Sequence, residues 1–165
     1  MTMNKRNIPL LKSFWCAIKG IVNCFLNERN FRIHLCACFY IIWLGSFYNF
    51  SLSEKAVLAV VIGFVMVTEV LNTSIENLVD LVSPEKNKQA GIVKDIAAGA
   101  VLLSALTAVV VAFIMFWDID ILKNVFTTLT DKVSNILLFI SSVIFWGMII
   151  FYKKKDKKGT ENNEN

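Results

Sequence analysis

An all-α integral membrane fold is what this sequence predicts: an N-terminal amphipathic surface helix, three transmembrane helices and an extra fourth one at the C-terminus. Three observations predict it. Hydrophobic residues make up 56% of the 165 positions and the mean hydropathy is +0.58, whereas a soluble domain of this length carries more charge and fewer long apolar runs. Residues 96–117, 133–152 and 56–79 approach or exceed the roughly 20 residues that cross a bilayer, the last only if its polar residues are admitted; 33–48 is shorter but bounded by polar residues. With the N-terminus cytoplasmic, Lys55, Lys123 and Lys132 are the only three of the 17 Lys and Arg that fall outside, a clear positive-inside bias. The net charge of +4 therefore reports topology and contact with anionic head groups of membrane lipids, not nucleic-acid binding.

Residues 1–27 form a cytoplasmic segment too interrupted by polar side chains for a secretory leader. Within it, Leu11, Phe14, Trp15, Ile18, Ile21, Val22 and Phe25 recur at spacings of three and four, opposite Lys12, Ser13, Lys19 and Asn23. Such a pattern predicts a helix over 8–26 lying on the membrane surface, with Pro9 suited to its first turn. The polar stretch NERNFR (27–32) leads into a core of three spans over 28–117, with helices expected at about 30–48, 55–82 and 92–117. Residues 49–53 make a short outside turn, Ser83-Pro84 ends the second span, and 85–91 is a cytoplasmic loop. An outside loop over 118–132 precedes the extra span 133–152, and a lysine-rich cytoplasmic tail, 153–165, is expected to be disordered.

Cysteine and histidine chemistry is excluded as the centre of function. Cys36 and Cys38 lie about 200° apart around a helix and cannot share a metal or a disulfide, and Cys16 and Cys24 fall where thiols stay reduced. His34 is the single histidine, which rules out a histidine-based metal site; beside Arg32 at the membrane interface it is a packing residue.

The chemistry lies in TEVLNTSIENLVD (68–80). At 100° per residue, Glu69, Asn72, Glu76 and Asp80 fall within an arc of about 80° and spread over about 16 Å of helix, from within the membrane to its cytoplasmic edge. Charged groups inside membranes are rare and usually face a partner, a cavity or an ion. Three carboxylates on one face repel one another, and a divalent cation, a basic partner or a proton relieves that. Glu28 precedes the first span at the same depth, and Lys94 and Asp95 open the third span, where the helix N-terminus also favours an anion. Carboxylates for magnesium, a lysine and a helix N-terminus can together hold a nucleotide phosphate. There is no Walker A sequence and no protein-kinase glycine loop. Residue spacing leaves three readings open: phosphoryl transfer at the cytoplasmic interface, an ion or proton pathway, and a structural polar seam.

NERNFRIH (27–34), EVLNTSIENLVD (69–80) and KDIAAGAVLL (94–103), in that order and at that spacing, resemble the bacterial diacylglycerol kinase family, the first of them its Gram-positive undecaprenol kinase branch. The resemblance covers about residues 11–117. It implies a homotrimer of three-span protomers with active sites between protomers near the cytoplasmic face, phosphorylating a lipid alcohol with MgATP. By motif position, Glu69 is the catalytic proton acceptor on the lipid hydroxyl, and Glu28 and Glu76 hold Mg2+. Lys94 contacts the transferring phosphate, and Asp95 with the loop around Glu85 holds the nucleotide. Asn72 orients its neighbours at the phosphates, and Asp80 supports the site; the structural alternative for Asp80 is an ion pair to Lys86 or Lys88. Thr73, Ser74 and Asn77 are read as helix-packing residues. Two departures stand out: Pro9 takes the place of an early arginine of the family, whose role passes to Arg6 or Lys12, and the fourth span has no family counterpart. The expected reaction converts undecaprenol to undecaprenyl phosphate, returning it to the carrier-lipid pool of cell-wall synthesis; diacylglycerol is the alternative acceptor.

Overall fold

The computed structural model describes residues 10–85 and 87–152. Pro9, Arg6, Lys86 and the tail at 153–165 lie outside the described residues, as do the roles expected of them. All regular structure among the described residues is helical: α1 (Leu10–Asn27), α2 (Arg29–Gly45), α3 (Leu52–Val82), α4 (Lys88–Phe116), α5 (Ile119–Thr130) and α6 (Val133–Phe151).

The expected amphipathic helix forms as α1. Its apolar stripe is unpartnered within the protomer: Leu11, Phe14, Trp15, Ile18 and Ile21 are all exposed, and only Cys24 is buried. A helix that keeps one apolar face uncovered is matched to a lipid surface. Helices α3, α4 and α6, of 31, 29 and 19 residues, are long and apolar enough to cross a membrane. Helix α2 stops at Gly45 after 17 residues and is not among them, so three spans rather than four meet that standard among the described residues.

Local chemistry sets the helix ends. Ser51 and Glu54 form a reciprocal capping box, so α3 begins ahead of the expected residue 55. The Asn87 side chain accepts from Gln89 N, which starts α4 ahead of the expected residue 92. Residues 118–132 contain a helix instead of a plain loop. Asp118 caps α5 by accepting from the backbone N–H groups of Asp120 and Ile121, and Ile119, Leu122, Val125, Phe126 and Leu129 give it an apolar side.

The most extensive packing is between α3 and α4, joined by the short loop 83–87. Midway along this hairpin the hydroxyls of Thr68 and Ser104 meet at 2.8 Å, and Ser104 is only 2% exposed. At the end remote from the loop, the Tyr48 hydroxyl donates to Phe116 O at 2.8 Å, and the rings of Tyr48, Phe50 and Phe116 pack with centroids 5.0–5.3 Å apart. Helix α6 runs back along α2 on an aromatic seam made by Phe39, Tyr40 and Trp43 against Phe139 and Trp146. The hydroxyls of Tyr40 and Ser142 pair there at 3.0 Å.

Tyr48→Phe keeps the stacked ring and removes one of the two donors to Phe116 O, leaving the Asp118 N–H at 3.0 Å. The expected loss is about 1 kcal/mol of stability, read as a lower Tm in detergent; an unchanged Tm would show that the Asp118 N–H alone satisfies the carbonyl.

Candidate functional site

Sequence periodicity put the acidic stripe on one side of α3, and the structure turns that side inward. Val65, Glu69, Asn72 and Thr73 are the buried residues of α3, and Glu69 is 1% exposed. Burial on the bundle side is the outcome the physics demands, because a carboxylate facing hydrocarbon costs about 3 kcal/mol or more. Opposite it lies the junction of α1 and α2, where Glu28 sits half-buried between the two helices.

The cluster comprises Glu28, Glu69, Asn72 and Glu76. Glu28, Glu69 and Glu76 stand close enough to repel one another electrostatically. The Asn72 amide donates to Glu76 Oε1 at 2.8 Å, which fixes both side chains one helical turn apart. Its own Oδ1 is buried without a hydrogen-bond partner among the described residues, and so are Glu69 Oε2 and Thr73 Oγ1. A buried acceptor with no donor is costly, and such atoms concentrate where a ligand completes the arrangement. At Glu28, burial first and the Glu76 charge second push the carboxyl above the usual range, while Arg32 draws it partly back.

Asp80 and Lys94 form a second group at the loop end of the same hairpin. The ammonium of Lys94 donates to Asp80 Oδ1 across α3 and α4. Asp80 therefore pairs with Lys94; of the two lysines expected, Lys86 lies outside the described residues, and Lys88 makes no ion pair among the described residues. Both side chains of the pair are a third or more exposed. A pair so placed contributes at most about 1 kcal/mol, so Lys94 can leave it for a phosphate at little cost. Asp95 and Glu85 are exposed and do not join either group; only the backbone O of Glu85 is engaged, by the Ser83 hydroxyl. Lys12, the remaining substitute for an early arginine, is exposed on α1.

Among the described residues, no three His, Cys, Asp or Glu side chains converge as a ready metal cage. The donor set nonetheless suits magnesium, which takes one or two carboxylates and completes its shell with phosphate oxygens and water. Glu28 and Glu76, mutually repelling carboxylates at the edge of the bundle, are such a pair.

Arg32 was not singled out from the sequence as a site residue. It is 5% exposed and spans two helix ends: Nη1 donates to Phe25 O and Leu26 O of α1, and Nη2 to Ile150 O and Tyr152 O at the end of α6, at 3.0–3.2 Å. Backbone carbonyls carry no sequence signature, so only the arginine within NERNFR could have hinted at this role.

A family model described as prokaryotic diacylglycerol kinase matches residues 15–116. The chain belongs to this family. The match begins within α1, takes in α2 to α4 and every member of the cluster, and ends before α5 and α6. A diacylglycerol kinase of Synechocystis is 44% identical over 103 residues, which is 62% of this chain and 59% of that protein. An undecaprenol kinase of Bacillus subtilis is 34% identical over 105 residues, 64% of this chain and 85% of the relative. A diacylglycerol kinase of Escherichia coli is 27% identical over 109 residues, 66% of this chain and 89% of the relative. The family is one of lipid kinases, phosphotransferases with an alcohol acceptor and ATP as donor, and its membership together with the three long apolar helices makes this a membrane protein.

Glu28 offers a test by pH. A carboxyl whose pKa rises on folding favours the folded state when protonated, so that contribution is present at acid pH and lost as pH climbs through the raised value. Without added metal, Glu28→Gln is therefore expected to raise Tm at pH 7 to 8 and to have a shrinking effect toward pH 4. A Tm gain that did not vary with pH would place its origin elsewhere.

Proposed function

We propose that the protein is an ATP- and magnesium-dependent lipid kinase that phosphorylates the terminal hydroxyl of undecaprenol at the cytoplasmic face of the cell membrane. The observation that carries this reading is Glu69: a carboxylate buried on the bundle side, one oxygen without a donor, beside two further carboxylates and within the family's matched region. An ion pathway would need polar groups continuing through the bundle. Beyond Glu69 the α3–α4 contact instead offers the Thr68–Ser104 hydroxyl pair and then apolar side chains. A purely structural seam would satisfy its own acceptors, and among the described residues this one leaves three oxygens unsatisfied, on Glu69, Asn72 and Thr73.

In the proposed reaction the lipid O–H donates to the free oxygen of Glu69. As the lipid oxygen bonds to the γ-phosphorus, the bond from that phosphorus to the β–γ bridging oxygen breaks, ADP leaves, and the proton passes to Glu69. Lys94 exchanges Asp80 for the transferring phosphate, and Asp80 then supports the site from the loop end. Asn72 keeps Glu76 oriented. Bound magnesium, held by Glu28 and Glu76, supplies charge neutralisation at the phosphates. Asp95 and Glu85 hold the nucleotide. Their exposure in a single protomer accords with a homotrimer whose sites form between protomers.

A groove of about 310 Å³ between α2, α3 and α4 supports a long-chain acceptor. Its walls are apolar, among them Ala37, Ile41, Leu58, Ile62 and Ala108, and it reaches Val65, one helical turn from Glu69. Diacylglycerol is the second reading, favoured by the 44% identity to the Synechocystis relative; the Bacillus subtilis relative, matched over more of its own length, favours undecaprenol. The shared position of the α1 and α6 ends at Arg32 supports a fourth span that returns the chain to the cytoplasmic side.

Purified protein assayed with labelled MgATP is expected to phosphorylate undecaprenol faster than diacylglycerol. Glu69→Gln should lower kcat by about 10²–10⁴-fold while the protein still folds, the range for a lost general base. Faster transfer to diacylglycerol would reassign the substrate. Full activity in Glu69→Gln would remove the proposed base.

A further inference from the structure

Helices α5 and α6 lie beyond the family match, yet α6 ends within hydrogen-bonding reach of the segment that carries Glu28. The connection is one side chain. Arg32 sits one turn after Glu28 in the chain, with Arg32 N bonded to Glu28 O at 3.4 Å. Its guanidinium donates to two carbonyls in the last turn of α1 and to two at the end of α6. Those carbonyls belong to the partnerless final groups of a helix, where the dipole also favours a cation. No carboxylate comes within ion-pairing distance of Arg32 among the described residues. Its charge is therefore balanced by the negative ends of two helices, one before Glu28 and the other about 120 residues later. Arg29 strengthens the same joint, its guanidinium 4.7 Å from the centre of the Phe151 ring.

Consider what this geometry does to Glu28. Arg32 is the cation that offsets the repulsion Glu28 feels from Glu76. Carbonyls of α6 occupy Nη2 and hold the guanidinium at a fixed place, so it steadies the junction without closing on the Glu28 carboxylate. With α6 displaced, Nη2 loses both acceptors, and Glu28, which already feels the Arg32 charge, is an anionic group open to it. An arginine paired to Glu28 would compete with a metal for that carboxylate.

We propose that the C-terminal helix α6 is an intramolecular brace for the α1–α2 junction, acting through Arg32, and that Arg32 is a positioning residue that keeps Glu28 available to the metal–nucleotide complex. The second half of this proposal rests on the kinase reading given above; the first half does not.

The test uses the full chain in lipid nanodiscs with three variants: Ser142→Phe, which wedges α6 away from Tyr40; Arg32→Lys, which cannot reach all four carbonyls; and the double variant. Amide hydrogen exchange is followed over residues 25–32 and 146–152, and KM for MgATP and kcat are measured separately. Each single variant is expected to speed exchange over 25–32 by about tenfold, the scale of a lost charged hydrogen bond. Each should raise KM for MgATP several-fold with kcat within about twofold, since Glu28 is misplaced but Glu69 is not. The double variant should be no worse than Arg32→Lys alone, because both changes break one connection. Faster exchange at 146–152 with none at 25–32 in Ser142→Phe would overturn the brace, as would additive effects in the double variant. Arg32→Lys decides the matter should the wedge prevent folding: unchanged exchange at 25–32 and 146–152 in that variant overturns the proposal. Should the unmodified chain phosphorylate neither lipid while exchange at the two segments remains coupled, the brace stands and the kinase reading falls.

Discussion

The arrangement depends on the cost of keeping a carboxylate out of hydrocarbon. Glu69 lies far enough along an apolar helix that only protein can shield it, and the inward turn of α3 provides that shield. Once that face is fixed, much else follows. The α1–α2 junction has to close over the stripe, which brings Glu28 beside Glu76. The opposite face of α3 is left apolar, with Val60, Phe64, Val67 and Leu71 exposed for lipid. Packing α4 along the remaining side supplies Ser104 to Thr68 and Lys94 to Asp80. A single unfavourable placement thus orders four helices around itself.

Within that frame the polar contacts differ in strength in a way that suits turnover. The Thr68–Ser104 contact is part-buried, with Ser104 itself 2% exposed, and joins the two arms of the hairpin at mid-depth. The Asp80–Lys94 pair lies toward solvent and is weak. Between them Glu69 and Asn72 each keep one acceptor unsatisfied. Packing therefore surrounds the atoms to which a hydroxyl or a phosphate would bind, and Lys94 at the loop end is easily released from its pair.

The sequence made some of this legible. Apolar runs located α3, α4 and α6, because a membrane span leaves an unbroken signal about 20 residues long. Helical periodicity aligned Glu69, Asn72 and Glu76, because a fixed angle per residue turns spacing into direction. Partners brought together only by tertiary packing were harder to read. Asp80 was matched to lysines close in the chain, whereas its partner on α4 is set by how two helices lie. Arg32 bonds only to main-chain carbonyls, and every residue type offers one of those. Helix α5 carried a readable signal in Asp118 and the apolar spacing after it, but its place between two spans favoured a loop. The length of α2 was overestimated because Phe47, Tyr48 and Phe50 extend the apolar run past Gly45, where they serve the aromatic cluster and not the helix.

Two amphipathic helices, α1 and α5, sit at opposite ends of the bundle, each with an apolar side to lay on a membrane. Helix α1 is tied to α6 through Arg32, and α5 follows α4 with only Trp117 and its Asp118 cap between them. Bilayer mismatch costs only fractions of a kcal/mol per Å, less than a charged hydrogen bond contributes, so a modest change in thickness leaves these joints intact.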